Sequence, residues 1–258
     1  MIRELHNEDC LITMSNMASD FIDLTITSPP YDNLRKYHGY KFDFESIAKQ
    51  LYRVTKPGGV VVWVVGDATI KGNETGTSFR HALYFKEIGF HLHDTMIYHF
   101  AGTGAKGSKY AYWQCFEYMF VFVKGKLRCF NPIIDHKNKV AGTKRGHVGQ
   151  YSNHTRTERG IRICPEYSKR PNIWTYGGSV GDKTNHPAQF PENLAQDHIL
   201  SWSHEGDIIY DPMAGAGTTG VMAHHNNRQF IMSEISMEYC KIIQERFMKR
   251  FDVQISIL

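Results

Sequence analysis

The hydrophobic period of this chain changes repeatedly across its first hundred residues, and few folds can absorb such a pattern. Phe21 to Thr27 is a short run dominated by apolar and β-branched residues, which reads as a buried strand. Phe44, Ile47, Leu51 and Val54 then recur at helical spacing, Lys56-Pro57-Gly58-Gly59 ends the helix, and Val60 to Val65 is a second β-branched run. Ser78 to Ile88 reads as a further helix, capped by Thr77 or Ser78 and closed by Gly89. A strand over Asp94 to Phe100 follows, with Phe116 to Val123 as its antiparallel neighbour. Strands alternating with helices predict a parallel sheet covered on both faces.

Periodicity disappears from about Gly125 to Gly181, where Gly, Asn, Lys and Arg surround Tyr151, Tyr167, Trp174 and Tyr176. It resumes as a helix over Pro191 to Trp202, a strand over Asp207 to Tyr210, and a helix over Thr218 to Asn226. A strand over Gln229 to Ser233 and a closing helix from Met237 complete the pattern. The expected architecture is α/β, a doubly wound and mostly parallel seven-stranded sheet with an antiparallel edge strand. Residues 1–124 and 182–258 would form one sheet, and 125–181 an irregular insertion.

Charge is distributed unevenly between these parts. Lys124 to Arg170 holds twelve Lys or Arg against three acids, a net +9, so the remainder of a +4 chain carries −5. A basic segment in an otherwise acidic protein is the footprint expected for a polyanion, and also that of a solvated linker. Apolar content of 41% and charged content of 22% are those of a packed domain. No apolar run reaches membrane-spanning length and Met1 to Cys10 lacks a secretory pattern, so a cytoplasmic location is expected. Five cysteines without a CxxC pair read as free thiols, and fourteen histidines without HExxH give no metal site.

Ligands of parallel α/β sheets bind beyond the carboxyl ends of the strands, which directs attention to two sequences. One is Asp211-Pro212-Met213-Ala214-Gly215-Ala216-Gly217-Thr218-Thr219, which leaves a strand and opens a helix. Gly215 and Gly217 permit close backbone approach, and free amides at the helix start can receive an anionic or polar ligand. Glu234, at the tip of the next strand, can accept two hydrogen bonds from a ribose diol. Together they point to an adenosine-containing cofactor.

The other is Thr27-Ser28-Pro29-Pro30-Tyr31. A residue preceding proline is held out of the helical region, so Ser28 and Pro29 stay extended with their carbonyls unspent. The tetrapeptide Ser28-Pro29-Pro30-Tyr31 resembles the catalytic motif of DNA amino-methyltransferases. The resemblance runs over nearly the whole chain. His186-Pro187-Ala188-Gln189-Phe190-Pro191-Glu192 is similar to the segment that precedes the family's glycine motif, Asp9-Cys10 stands where members place an acid near the adenine, and Phe116-Glu117-Tyr118 resembles the strand beside the target-base pocket. The order, with Ser-Pro-Pro-Tyr first, the basic segment between and the glycine motif last, resembles the permuted β class.

That resemblance implies a Rossmann-like methyltransferase fold with S-adenosylmethionine as cofactor and double-stranded DNA as partner; it also admits a cognate restriction endonuclease and a homodimer. Ser28, Pro29, Pro30 and Tyr31 would be catalytic, acting on a base flipped out of the duplex. Cofactor contacts would fall to Asp9, Cys10, Thr27, His186, Pro187, Phe190, Asp211, Pro212, Met213, Gly215, Gly217, Thr218, Thr219, Glu234 and Ile235. Residues 125–181 would recognise the target, with Lys137, Lys139, Lys144, Arg145, Arg156 and Arg159 holding DNA. Met213 departs from the family's usual aromatic residue, and Ala216 from a frequent serine.

Serine at position 28 favours the N4 amine of cytosine, with the N6 amine of adenine as the alternative. Methylation of RNA or of a protein amide also uses a proline-rich acceptor loop, but the permuted order and the basic segment count against it. A DNA-binding module that kept the fold without activity is the rival from another class. A nicotinamide oxidoreductase is disfavoured because the glycine turn departs from GxGxxG.

Overall fold

The computed structural model of the protein describes residues 2–30, 42–101, 110–148, 158–177 and 190–258. Its elements in chain order begin with β1 (Arg3–His6), α1 (Cys10–Asn16), β2 (Ile22–Thr27), α2 (Phe44–Val54) and β3 (Thr55–Val65). A short hairpin of β4 (Thr69–Ile70) and β5 (Asn73–Glu74) leads to α3 (Thr77–Glu87), β6 (His91–Ala101) and β7 (Phe116–Val123). β8 (Ile134–Lys137), β9 (Lys144–Val148), β10 (Glu158–Ile163), β11 (Tyr167–Lys169) and β12 (Ile173–Gly177) occupy the middle. The chain closes with α4 (Glu192–Trp202), β13 (Ile208–Asp211), α5 (Thr218–His225), β14 (Gln229–Ser233) and α6 (Met237–Phe251).

The main sheet has eight strands in the order β1-β14-β13-β2-β3-β7-β6-β12. This corrects the expected seven. The expected antiparallel edge strand is also corrected: β7 runs against both neighbours, β3 and β6, but lies inside the sheet, and the edge beyond it is β12, parallel to β6. Two strands had no counterpart among those read from periodicity: β1 at one edge, and β12 at the other from the segment read as irregular, where Ile173-Trp174-Thr175-Tyr176 alternates exposed and buried faces over too few residues to stand out.

Burial explains why the central strands read so clearly. Every residue of β2 is buried, as are the last eight residues of β3, and each fully buried Val, Leu or Ile contributes about 1.5–3 kcal/mol. On α2, Ile47, Ala48, Leu51 and Val54 face this sheet, and Asp43 caps the helix by accepting the Ser46 amide at 3.2 Å. The expected side-chain cap of α3 is replaced by another device. Its N-cap is Gly76 in the left-handed region, and the Asp67 carboxylate beyond β3 accepts the Ser78 amide at 2.9 Å.

Two compact units result. Residues 1–131 with 172–258 hold the sheet, and Pro132–Pro171 form a small unit of two antiparallel ribbons, β8 with β11 and β9 with β10. In the smaller unit Arg170 pairs with Asp135 at 2.5 Å and holds its carboxyl below the usual range. The smaller unit lies within the 125–181 segment, and Lys124 and Arg128 belong to the larger unit. No described helix is long and apolar enough to cross a membrane.

Candidate active site at the carboxyl edge of the sheet

Strand order reverses direction between β13 and β2. From β13 the chain goes by α5 to β14 on one side; from β2 it goes by α2 to β3 on the other. The two helices diverge there, which leaves a crevice outside the carboxyl ends of the two strands. Ser28-Pro29-Pro30 follows β2 directly, and the Asp211 to Gly217 turn follows β13 directly. Tyr210 is in register with Thr25, and the Thr219 hydroxyl donates to the Ile26 carbonyl at 3.3 Å, tying the start of α5 to β2. Pro29 is buried while Ser28 and Pro30 are half-buried.

The glycine turn is shaped by main-chain requirements. Gly215 and Gly217 have φ of 52° and 76°, the left-handed region that strains side-chain-bearing residues. A Cβ on Gly217 would also lie 2.8 Å from Ile243 Cγ1. Asp211 is buried, and its Oδ1 accepts the Met213 amide at 3.1 Å. Burial pushes its carboxyl up to about 6, against the opposing pull of that amide. Pro212 is buried and Met213 packs on the core.

Glu234 leaves β14 one strand away. Its Oε2 accepts the Gly215 amide at 2.8 Å and its Oε1 the Ser236 amide at 2.9 Å, while burial holds its carboxyl above the usual range. Ile235 beside it is 42% exposed, an apolar face left open at the edge. Asp9 follows β1, the next strand, and serves as N-cap of α1 by accepting the Leu11 amide at 2.8 Å. Cys10 is a core residue whose thiol burial pushes well up. The expected residues Asp9, Glu234, Gly215, Gly217, Thr27 and Ser28 thus lie along one edge, from β1 to β2, a lateral span of about 14 Å at ~4.8 Å per strand.

Thr218 and Thr219 are buried rather than open at the helix start. Phe190 lies half-buried just before α4, whereas Tyr31, His186, Pro187 and Arg156 fall outside the described residues. Lys137, Lys139 and Lys144 are exposed on the small unit, and Arg145 and Arg159 lie on β9 and β10.

Two residues that organise the edge gave no signal in the sequence. Arg246, buried on α6, donates to the Ala216 carbonyl of the glycine turn and to Glu192 Oε1 at 2.9 Å. Asn7 donates to the Glu234 carbonyl at 2.9 Å. An arginine in an amphipathic helix and an asparagine after a strand read as solvated groups until the packing is known.

A family profile described as DNA methylase, of the N6/N4 type, matches residues 22–245. The chain belongs to the N6/N4 DNA methylase family. It is 53% identical over 240 residues to the orphan methyltransferase M.BamHII of Bacillus amyloliquefaciens, covering 90% of each chain. Among solved structures, this DNA methylase is similar to the cytosine-N4-specific PvuII DNA methyltransferase, with a TM-score of 0.73 at 20% identity over 97% of this chain and 88% of that one. It is also similar to TTHA0409 of Thermus thermophilus complexed with S-adenosyl-L-methionine, with a TM-score of 0.69 at 20% identity over 100% and 98% of the two chains. The eight-stranded arrangement is thus a methyltransferase fold of the Rossmann-like kind.

Proposed function

We propose that this DNA methylase transfers a methyl group from S-adenosylmethionine to the exocyclic N4 amine of cytosine in double-stranded DNA. The observation that carries the reading is the meeting of Ser28-Pro29-Pro30 and the glycine turn on either side of the strand-order reversal, joined by the hydrogen bond from Thr219 to Ile26. The residues at the edge suit the cofactor. Glu234 spends one lone pair of each oxygen on an amide and keeps one on each for a ribose hydroxyl. Ile235 offers an apolar surface to an adenine, Asp9 supplies an acid beyond the end of β1, and left-handed Gly215 and Gly217 clear space for the amino-acid portion. Thr27, Met213 and Phe190 would border it, with His186 and Pro187 assigned by resemblance alone. When bound, S-adenosylmethionine supplies a methyl group on a cationic sulfur.

The chain's own part is to make an amine nucleophilic. The lone pair of a cytosine amine is delocalised into the ring. Acceptors at Ser28 Oγ and the Pro29 carbonyl, aimed at the two N–H groups, localise that pair and stabilise the positive charge that develops on nitrogen. Pro30 keeps Pro29 extended, so its carbonyl remains available. Tyr31 would stack on the base once it is flipped from the duplex. Lys137, Lys139, Lys144, Arg145, Arg156 and Arg159 would hold phosphates and supply the salt-dependent part of binding.

The test is transfer of labelled methyl to mixed-sequence duplex DNA followed by nucleoside mass spectrometry. N4-methylcytosine from the wild type, reduced about 10²–10³-fold in Ser28→Ala as for loss of one positioned group, is the expected result. N6-methyladenine would replace cytosine with adenine and leave the rest of the mechanism standing. Cofactor binding without any label in DNA would favour the inactive binding module.

A further inference from the structure

The hairpin of β6 and β7 extends past β2 and β3 at the carboxyl edge. Thr27 is in register with Trp63, Trp63 with Phe120, and Phe120 with Thr95, so these four residues mark one level of the sheet. Beyond that level β7 continues four residues to Phe116, paired with His99, an overhang of about 13 Å at ~3.3 Å per residue. Cys115 closes the hairpin by accepting the Phe100 amide at 2.8 Å. The segment that returns to it carries Tyr110, Tyr112 and Trp113, which are 86%, 100% and 64% exposed.

Single exposed apolar residues need no explanation, but three large aromatic side chains within four residues form a patch that folding alone does not account for. Elsewhere in the chain Trp63, Trp174 and Trp202 are all buried. The connecting sequence 102–115 contains Lys106 and Lys109 and no acid, a charge suited to a polyanion. Aromatic faces beside positive charge are the features with which proteins stack unpaired bases without reading their identity. Base extrusion breaks stacking on both sides of the target, and an aromatic surface next to the opened pair can replace part of what is lost.

We propose that Tyr112 and Trp113, with Tyr110 beside them, form a stacking surface for nucleobases exposed where the duplex is opened at the Ser28 edge. The inference rests on the reading of this chain as an enzyme that modifies a flipped base. These aromatics would act as positioning residues for the DNA, remote from the methyl group itself. Their contribution is largest on duplex DNA, where a pair must be opened, and smaller on single strands.

Trp113 reports on this directly, because the other three tryptophans are buried. Iodide should quench a fraction of the emission that disappears in Trp113→Phe. Adding a mixed-sequence 30-base-pair duplex should lower the iodide quenching constant at least threefold. The pair Tyr112→Ala with Trp113→Ala should raise the KM for duplex DNA tenfold or more, with S-adenosylmethionine binding unchanged and a smaller deficit on heat-denatured DNA. Tyr112→Phe with Trp113→Phe should restore most of the duplex activity. Unchanged iodide access at duplex concentrations that saturate binding, or wild-type duplex kinetics in the double alanine variant, would overturn the inference and leave the methyltransferase reading intact. If the wild type neither binds nor methylates DNA, that reading fails and this inference with it.

Discussion

The two edges of the central sheet treat buried carboxylates in opposite ways. At the amino edge, Asp23 of β2 pairs with Lys56 at 2.8 Å and Arg128 at 2.9 Å, and it also accepts the Ile208 amide at 2.9 Å. Arg128 reaches on to Asp207 at 2.5 Å, so one cluster of charges binds the starts of β2, β3 and β13 to the end of β7. At the carboxyl edge, Asp211 and Glu234 are equally buried, yet among the described residues neither has an ion-pair partner, and main-chain amides hold both. An edge that only holds strands together neutralises its charges. The other edge keeps acceptor capacity in place, held by rigid backbone donors, where a ligand's hydroxyls can use it.

Substitutions can break this contrast. Asp23→Ala would leave the Ile208 amide without its acceptor and take from Lys56 and Arg128, themselves 35% and 39% exposed, their buried partner, and should cost up to about 3 kcal/mol, read as the urea midpoint. Methyl transfer per folded molecule should survive it. A midpoint close to wild type would mean that the amino-edge cluster is not a structural tie.

The next largest effect concerns pH. His198 on α4 is fully buried, accepts the Trp202 indole N–H at Nδ1 and lies 3.2 Å from Met119 Sδ through Nε2; burial pushes its pKa down to about 3. A histidine depressed in the folded state contributes stability that is present above its unfolded pKa of about 6.5 and is lost as pH falls towards 3. From pH 7 to 5 the loss should be roughly 2 kcal/mol. Asp211 runs the other way, since a carboxyl raised to about 6 takes up its proton in the folded state first and gains stability as pH falls from about 7 towards 4. The difference in stability between wild type and His198→Leu, followed against pH, isolates the histidine. A pH-independent difference would show that His198 is not held neutral by the core.

The smallest effect belongs to Asp9, which has two uses. As N-cap of α1 it contributes about 1 kcal/mol, so Asp9→Ala should lower stability by that amount. Asp9→Asn preserves a capping acceptor and should restore the stability, while cofactor affinity stays reduced if the acid also contacts the adenine. Recovery of both by asparagine would confine Asp9 to capping.

How much of this was legible in the sequence depended on whether the signal was local. The helix over Phe44 to Val54, the strands over Phe116 to Val123 and Gln229 to Ser233, and the closing helix at Met237 coincide with the observed elements because each is fixed by its own periodicity. Ser28, the glycine turn and Glu234 were equally visible, since proline, glycine and a strand-end acid act through the adjacent backbone. β12 was missed because five residues in a Gly- and Asn-rich context carry too short a period, and its place at the edge is decided by pairing with β6. Arg246 and Asn7 matter through contacts between residues 30 and 227 positions apart, and no local pattern encodes them. Similarly, counting Lys124 and Arg128 with the basic segment overstated its charge, because their partners Asp20, Asp23 and Asp207 are distant in sequence.

The contrast between the edges is tested most directly by comparing Glu234→Ala with Asp23→Ala in one assay, labelled methyl transfer from S-adenosylmethionine to duplex DNA below the melting temperature of both. Glu234→Ala should lose cofactor binding and transfer even while folded, although it too gives up two main-chain hydrogen bonds, whereas Asp23→Ala should melt early and transfer normally while folded. Transfer at the wild-type rate by Glu234→Ala would contradict the assignment of the carboxyl edge to the cofactor.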